Sequence, residues 1–221
     1  MWDETMIRML AEGIKDTCYM TILSTFFGYV IGLPIGILLT LTDKGGLTPH
    51  KNVYRILDII INVTRSIPFL ILLIVVMPLT KAIVGKSYGS TATIVPLTLA
   101  AAPLIGRMVE SSLKEVNKGV IEAAISMGAK TRTIVFKVLI GEARTSLLVG
   151  MTIVLGTVLG YSAMAGVIGG GGLGDIAIRY GYYRYETSVM LVTLVFIVVI
   201  VQLMQGIGTY AAKKLDHRNQ A

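Results

Sequence analysis

Residues 119–143 read GVIEAAISMGAKTRTIVFKVLIGEA. They lie between two apolar segments of a chain otherwise built for lipid. Glu122-Ala123-Ala124 is followed, four residues after Ala124, by Gly128 and then by a basic amphipathic run. A polar, helical, glycine-hinged loop in a membrane protein offers a soluble partner something to grip. The stretch therefore points away from a self-contained channel and toward a subunit driven from outside.

The composition around it supports the lipid assignment. Of 221 residues, 54% are hydrophobic and only 15% are charged. The mean hydropathy is +0.74. A soluble domain needs far more charge to cover its surface. Cys18 is the only cysteine, so no intrachain disulfide can form, and it reads as a small apolar residue near the start of a span. The net charge of +7 fits retained basic loops of a membrane protein better than nucleic-acid binding. The first apolar run begins near Thr17 behind Asp3, Glu4, Glu12 and Asp16. That acidic leader predicts a retained helix rather than a cleaved signal.

Five segments approach the ~20 residues that cross hydrocarbon. They are placed at about 17–41, within 56–84, and at about 90–108, 147–168 and 188–208. Helices are expected, because backbone groups in lipid must pair within the segment. The whole chain, 1–221, reads as a single all-α transmembrane domain with a polar loop at about 107–146. Segments 42–55, 107–146 and 209–221 carry three, seven and three Lys/Arg; the N-terminal stretch, 79–89 and 169–187 carry two each. The excess of basic residues on cytoplasmic loops then predicts a cytoplasmic C-terminus, an outside N-terminus and a cytoplasmic 107–146 loop.

Inside that loop, Val120, Ile121, Ala124 and Ile125 can share one face of a short helix, with Glu122 in its first turn. Gly128 is placed to end it in the left-handed conformation. Thr131 is a candidate cap for a second helix carrying Ile134, Val135, Val138 and Leu139. Lys130, Arg132 and Lys137 decorate the product, a helix, sharp turn and helix. An amphipathic loop lying on anionic headgroups is the other reading of the same residues.

The pattern resembles the EAA loop of bacterial ABC importer permeases, which reads E-A-A, three residues, G, nine residues, I-x-L-P. Glu122-Ala123-Ala124 and Gly128 match, whereas the closing motif is Val138-Leu139-Ile140-Gly141, without its proline. Arg65-Ser66-Ile67-Pro68-Phe69, the run 94–110 and GYSAMAGVIGGGGLG at 160–174 are similar to the methionine-uptake branch of that family. So are the five-span length and YGYYRYETSVM at 180–190. The resemblance covers nearly the whole chain. It implies the type I importer fold, with the loop as a coupling helix. It also implies a permease homodimer, two cytoplasmic ATPase subunits that bind the ATP and magnesium, and an extracytoplasmic binding protein that delivers methionine.

Gly28, Gly32 and Gly36 fall on one helical face, suited to close packing within the chain or against a second copy. Gly169, Gly171 and Gly174 satisfy G-x-G-x-x-G, but they follow a span, so a flexible re-entrant turn or outer loop is expected rather than a dinucleotide site. Gly85-Lys86-Ser87 lacks the upstream glycine of a phosphate-binding loop, which has Thr80 at that place. Arg65 would sit ~15 Å deep if a straight span began near Arg55, at ~1.5 Å per residue. There it lines a polar interior with Asn62 and Ser66, attracting a carboxylate or bracing the bundle. In the other reading it snorkels from an interfacial helix over 55–66. Tyr161, Ser162 and Met164 mark the fourth span, either as packing or as a translocation face with Met164 a soft apolar gate. Enzyme readings are poor: His50 and His217 have no metal-ligand spacing, and Asp58 and Asp175 have no partner in sequence. The expected function is thus the permease subunit of an ATP-driven methionine importer. Its rivals are a permease for another amino acid or small ligand, and an ATP-independent channel or membrane scaffold.

Overall fold

The computed structural model describes residues 4–215. Asp3, His217 and the end of the basic segment 209–221 lie outside the described residues. Every regular element among the described residues is helical. Helix α1 (Glu4–Thr42) starts well before the expected Thr17 and carries Pro34 without ending. α4 (Ser90–Lys114) is the most buried of the long helices and forms the axis of the bundle. The Gly28/Gly32/Gly36 stripe is where α1 meets it. A Cβ on Gly32 would lie 2.5 Å from the Ala102 carbonyl oxygen, and one on Gly36 2.6 Å from that of Gly106. The stripe therefore serves packing within one chain.

The second expected span, within 56–84, is broken. α2 (Lys51–Ser66) and α3 (Phe69–Val84) are each 16 residues long and meet at 108°. Pro68 causes the elbow: its ring disfavours the helical region for the preceding residue, and Ile67 is extended at φ −78°, ψ 123°. The four helices long and apolar enough to cross a membrane, together with this bent pair, give the five crossings.

After α4 come α5 (Lys118–Ser126), α6 (Thr131–Thr133), a π-helical stretch Ile134–Leu139 and α7 (Ile140–Glu142). α8 (Arg144–Ala165) then runs back along the bundle to a glycine turn. It is followed by α9 (Gly172–Ile176), a second π stretch Ala177–Tyr182, and α10 (Thr187–Leu215). α10 is the outermost layer. Leu191, Leu194, Val195, Val198, Leu203 and Ile207 along it are all exposed.

The bundle has two distinct ends, a loop end with α5 and a far end with the glycine turn. The far end, expected as a flexible re-entrant turn or outer loop, is tied to α1 and to the start of α4 by hydrogen bonds. The Leu173 N–H donates to the Thr17 hydroxyl at 2.9 Å, the Gly89 N–H to the Gly169 carbonyl at 3.0 Å, and the Thr93 hydroxyl to the Gly170 carbonyl at 3.1 Å. The Ser90 hydroxyl donates to Asp16. Gly169, Gly171 and Gly172 take φ of +77°, +81° and +76°, so the turn is a close-packed plug that only glycine threads cheaply.

Gly32→Leu should lower stability by about 1–3 kcal/mol through overpacking against α4. Thermal unfolding in detergent checks this, and an unchanged midpoint would show that α1 and α4 are not held at this separation.

Candidate functional site

At the loop end, Glu115, Val116 and Asn117 link α4 to α5. Val116 is buried, and the Asn117 side chain accepts the Gly119 N–H at 2.8 Å, capping α5. The cap starts the helix at Lys118, so Glu122 lies past the first turn, a correction to its expected place. Gly128, at φ +76°, ends the helix as expected. The Ala129 N–H donates to the Ala124 carbonyl (3.1 Å) and the Gly128 N–H to that of Ile125 (2.9 Å), which is a Schellman closure. No atom lies within 4 Å of where a Gly128 Cβ would sit, so its requirement is purely conformational.

The face pointing inward is narrower than expected. Ala124 is buried and Ile121 packs on the core, while Val120 and Ile125 remain exposed. The outward face presents Gly119, Glu122, Ala123 and Ser126, small side chains and one carboxylate. Of the two alanines only Ala123 is available to a partner. Met127, 80% exposed, flanks this face, and Phe136 on the π stretch is also exposed. Thr131 is the first residue of α6 and does not cap it; the N-cap is Lys130. Ile134, Val135 and Leu139 are buried and Val138 packs on the core, so the helical stretch after the turn is anchored to the bundle.

Beside α5 lies a polar cluster that the sequence reading missed. Glu110, only 3% exposed, contacts Arg107 (2.7 Å), Lys114 (2.8 Å) and the Tyr54 hydroxyl (3.1 Å). Arg107 also pairs with Asp58 and donates to the Asn62 side-chain oxygen at 3.0 Å. Lys114 reaches Asp43, just beyond α1, at 2.7 Å. The hydrogen bond from Lys114 is the main reason that the Asp43 carboxyl is held below its ordinary value. A lowered carboxyl favours the folded state above its unfolded value and loses that contribution as pH falls through the folded one, so this tether is intact at neutral pH. The signal was the spacing of Arg107, Glu110 and Lys114, three and four apart on one helical face. Asp58, unpartnered in sequence, finds Arg107 across the helix pair, and Asp175 pairs with Arg179 at 2.8 Å.

The expected pathway residues divide. Asn62, Arg65 and Ser66 lie on the last turns of α2, at the elbow, and all three are exposed. The elbow removes the straight span that placed Arg65 by simple depth. The Ser66 hydroxyl donates to the Asn62 carbonyl at 2.7 Å. Tyr161 stacks on Phe69, three residues past Ser66, with ring centroids 4.7 Å apart and planes 4° from parallel. Met164 is 42% exposed. Ser162 is corrected: it is buried, and its hydroxyl donates to the Leu159 carbonyl at 2.7 Å, so it faces the protomer interior and lines no surface.

The chain is thus a membrane-spanning helical bundle with a short, capped helix exposed at one end. Residues 32–217 match the model of the family described as the binding-protein-dependent transport system inner membrane component, and the chain belongs to that family. It is 47% identical over 210 residues to a probable D-methionine transport system permease protein MetI of Vibrio cholerae, covering 95% of this chain and 93% of the relative. It is 50% identical over 163 residues to the D-methionine transport system permease protein MetI of Escherichia coli K12, covering 74% and 75%. A solved structure described as inward-facing conformations of the MetNI methionine ABC transporter superposes with TM-score 0.96 at 46% identity, over 98% of this chain and 100% of that one. An amino acid ABC transporter solved with histidines matches at TM-score 0.75 and 19% identity, which shows the fold alone.

Gly128→Val should loosen the 126–130 turn by about 1–2 kcal/mol, the cost of the left-handed conformation for a side chain with a Cβ. Gly128→Asn should be close to wild type, because asparagine tolerates that conformation. Limited proteolysis of the two variants checks this; equal cleavage would show that the turn does not depend on φ.

Proposed function

We propose that this chain is the permease subunit of an ATP-driven methionine importer. It works as a homodimer in the bacterial cytoplasmic membrane, with its N-terminus outside and its C-terminus in the cytoplasm. Two ABC ATPase subunits engage α5 and bind the ATP and magnesium. A binding protein delivers methionine to the far end. The observation that carries this reading is α5 itself: a nine-residue helix, capped at both ends, joined by three residues to the buried axis of the bundle and presenting small side chains outward. The substrate comes from the methionine permeases to which the chain is similar over most of its length. The orientation comes from the excess of Lys/Arg on the 42–55, 107–146 and 209–221 segments.

Closure of the ATPase pair would push the α5 helices together and rock the protomers as rigid bodies, switching access from one side to the other. Glu122, Ala123 and Gly128 form the docking knuckle, with Ala124 seating it on the core. The path runs between protomers, past the elbow residues Asn62, Arg65 and Ser66 and the Tyr161/Met164 face, with Met164 as a soft gate. Arg65, exposed and cationic at the elbow, suits the substrate carboxylate. An ATP-independent channel or scaffold has no use for a docking knuckle. A permease for another amino acid differs only in what the transport assay shows.

The test is purification in mild detergent with the candidate ATPase, followed by reconstitution. Co-purification, ATP-dependent methionine uptake and failure of other amino acids to compete are expected; absence of an associated ATPase would overturn the importer reading. Arg65→Gln should lower methionine flux roughly tenfold with saturating binding protein, equivalent to one charged hydrogen bond of about 1.5 kcal/mol. Unchanged flux removes Arg65 from the path. Met164→Ala should raise methionine leak without ATP, and a tight variant would deny it the gating role.

A further inference from the structure

α2 is attached to the rest of the chain in an unusual way. Of its 16 residues only Ile61 is buried. One face, with Val53, Ile56, Ile60 and Val63, is exposed. What joins α2 to the bundle is largely polar. Tyr54, Asp58 and Asn62, spaced four apart on one stripe, bond Glu110 and Arg107 of α4. The same α4 stripe continues to Lys114, which holds Asp43 at the exit of α1. Lys114 is the last residue of α4, and only Glu115, Val116 and Asn117 separate it from α5.

From this geometry we infer that the Asp43–Lys114–Glu110–Arg107–Asp58 lattice is a mechanical relay. It makes α2, and the Asn62/Arg65/Ser66 elbow at its end, follow the movement of α5. The inference rests on the proposed role of α5 as the ATPase docking helix. Apolar packing ties α2 only weakly, since Ile61 alone is buried and helices in lipid gain no hydrophobic drive toward each other. Ion pairs hold it more firmly, because the buried Glu110 carboxylate is strongly penalised wherever it loses its partners. As α4 turns with α5, Arg107 and Glu110 carry the α2 stripe with them. These are positioning residues: they touch no substrate, and they set where the elbow stands in each state.

The experiment measures spin-label distances in the reconstituted permease–ATPase complex, nucleotide-free and with ATP plus vanadate. A single label per protomer, on Lys118 of α5, away from its outward face, or on Val53 of α2, reports the distance to its copy across the dimer, in a Cys18→Ser background. Both distances should change with nucleotide in the otherwise wild-type chain. Tyr54→Phe with Asp58→Ala removes two of the links without touching a fully buried side chain. In that variant the α5 distance should still change, the α2 change should be largely lost, and methionine transported per ATP should fall several-fold. Glu110→Gln gives a second test at the centre of the lattice. An α2 helix that keeps following α5 in both variants overturns the relay. So does an α2 helix that stays still in the wild-type chain while α5 moves. If α5 itself does not move in the wild-type chain, the docking role fails first and the relay falls with it; the separate α5 label makes that outcome recognisable.

Discussion

The close contact of α1 with α4 is the constraint from which the other features follow. Lipid tails are as apolar as leucine, so helices in a bilayer associate through tight packing and polar contacts rather than through the hydrophobic effect. Gly28, Gly32 and Gly36 bring the α1 backbone against Ala101, Ala102, Ile105 and Gly106 at separations that leave no room for a Cβ. This contact fixes α4 in the interior and sets the position of everything α4 carries. At one end it presents Ser90 and Thr93 to the glycine plug. At the other it presents Arg107, Glu110 and Lys114, and then α5.

Charge within such a bundle is tolerated only when it is paired. Glu110 is nearly inaccessible, yet both of its oxygens are occupied, one by Arg107 and the other by Lys114 and Tyr54. Those partners in turn bind Asp58, Asn62 and Asp43. The polar lattice thus joins α2 and the end of α1 to α4 in a region where α2 buries little. The far end solves a similar problem with backbone groups. Its carbonyls at Gly169 and Gly170 are satisfied by Gly89 and Thr93, and Thr17 takes the Leu173 amide.

Much of this was legible in the sequence. Hydropathy located the crossings, and Glu122-Ala123-Ala124 with Gly128 located α5 and the turn that ends it. What sequence did not reveal has identifiable causes. The elbow at Ile67–Pro68 was hidden because apolar residues run through it, although Pro68 was visible as a backbone break. The start of α5 was misplaced because Asn117, the true cap, precedes the motif that drew attention. Ser162 was grouped with Tyr161 and Met164 by proximity in sequence, whereas neighbours on a helix point in different directions. The lattice escaped because its members come from α2, α4 and the end of α1; only its Arg107/Glu110/Lys114 portion has a local spacing. The turn at 169–172 looked loose because glycines suggest freedom, yet Gly170, Gly171 and Gly172 here serve close approach.

The outer position of α10 has a consequence for how freely this chain can vary. Along its exposed side, those of Leu191, Leu194, Val195, Val198, Leu203 and Ile207 that face lipid need only be soluble in its tails, which conform to any outline. Leucine, isoleucine, valine and phenylalanine are interchangeable there at little cost. The inner stripe of α1 allows no such exchange, since a single added methyl group meets a carbonyl. Substitutions are therefore cheap on the outer jacket and costly along the seam between α1 and α4.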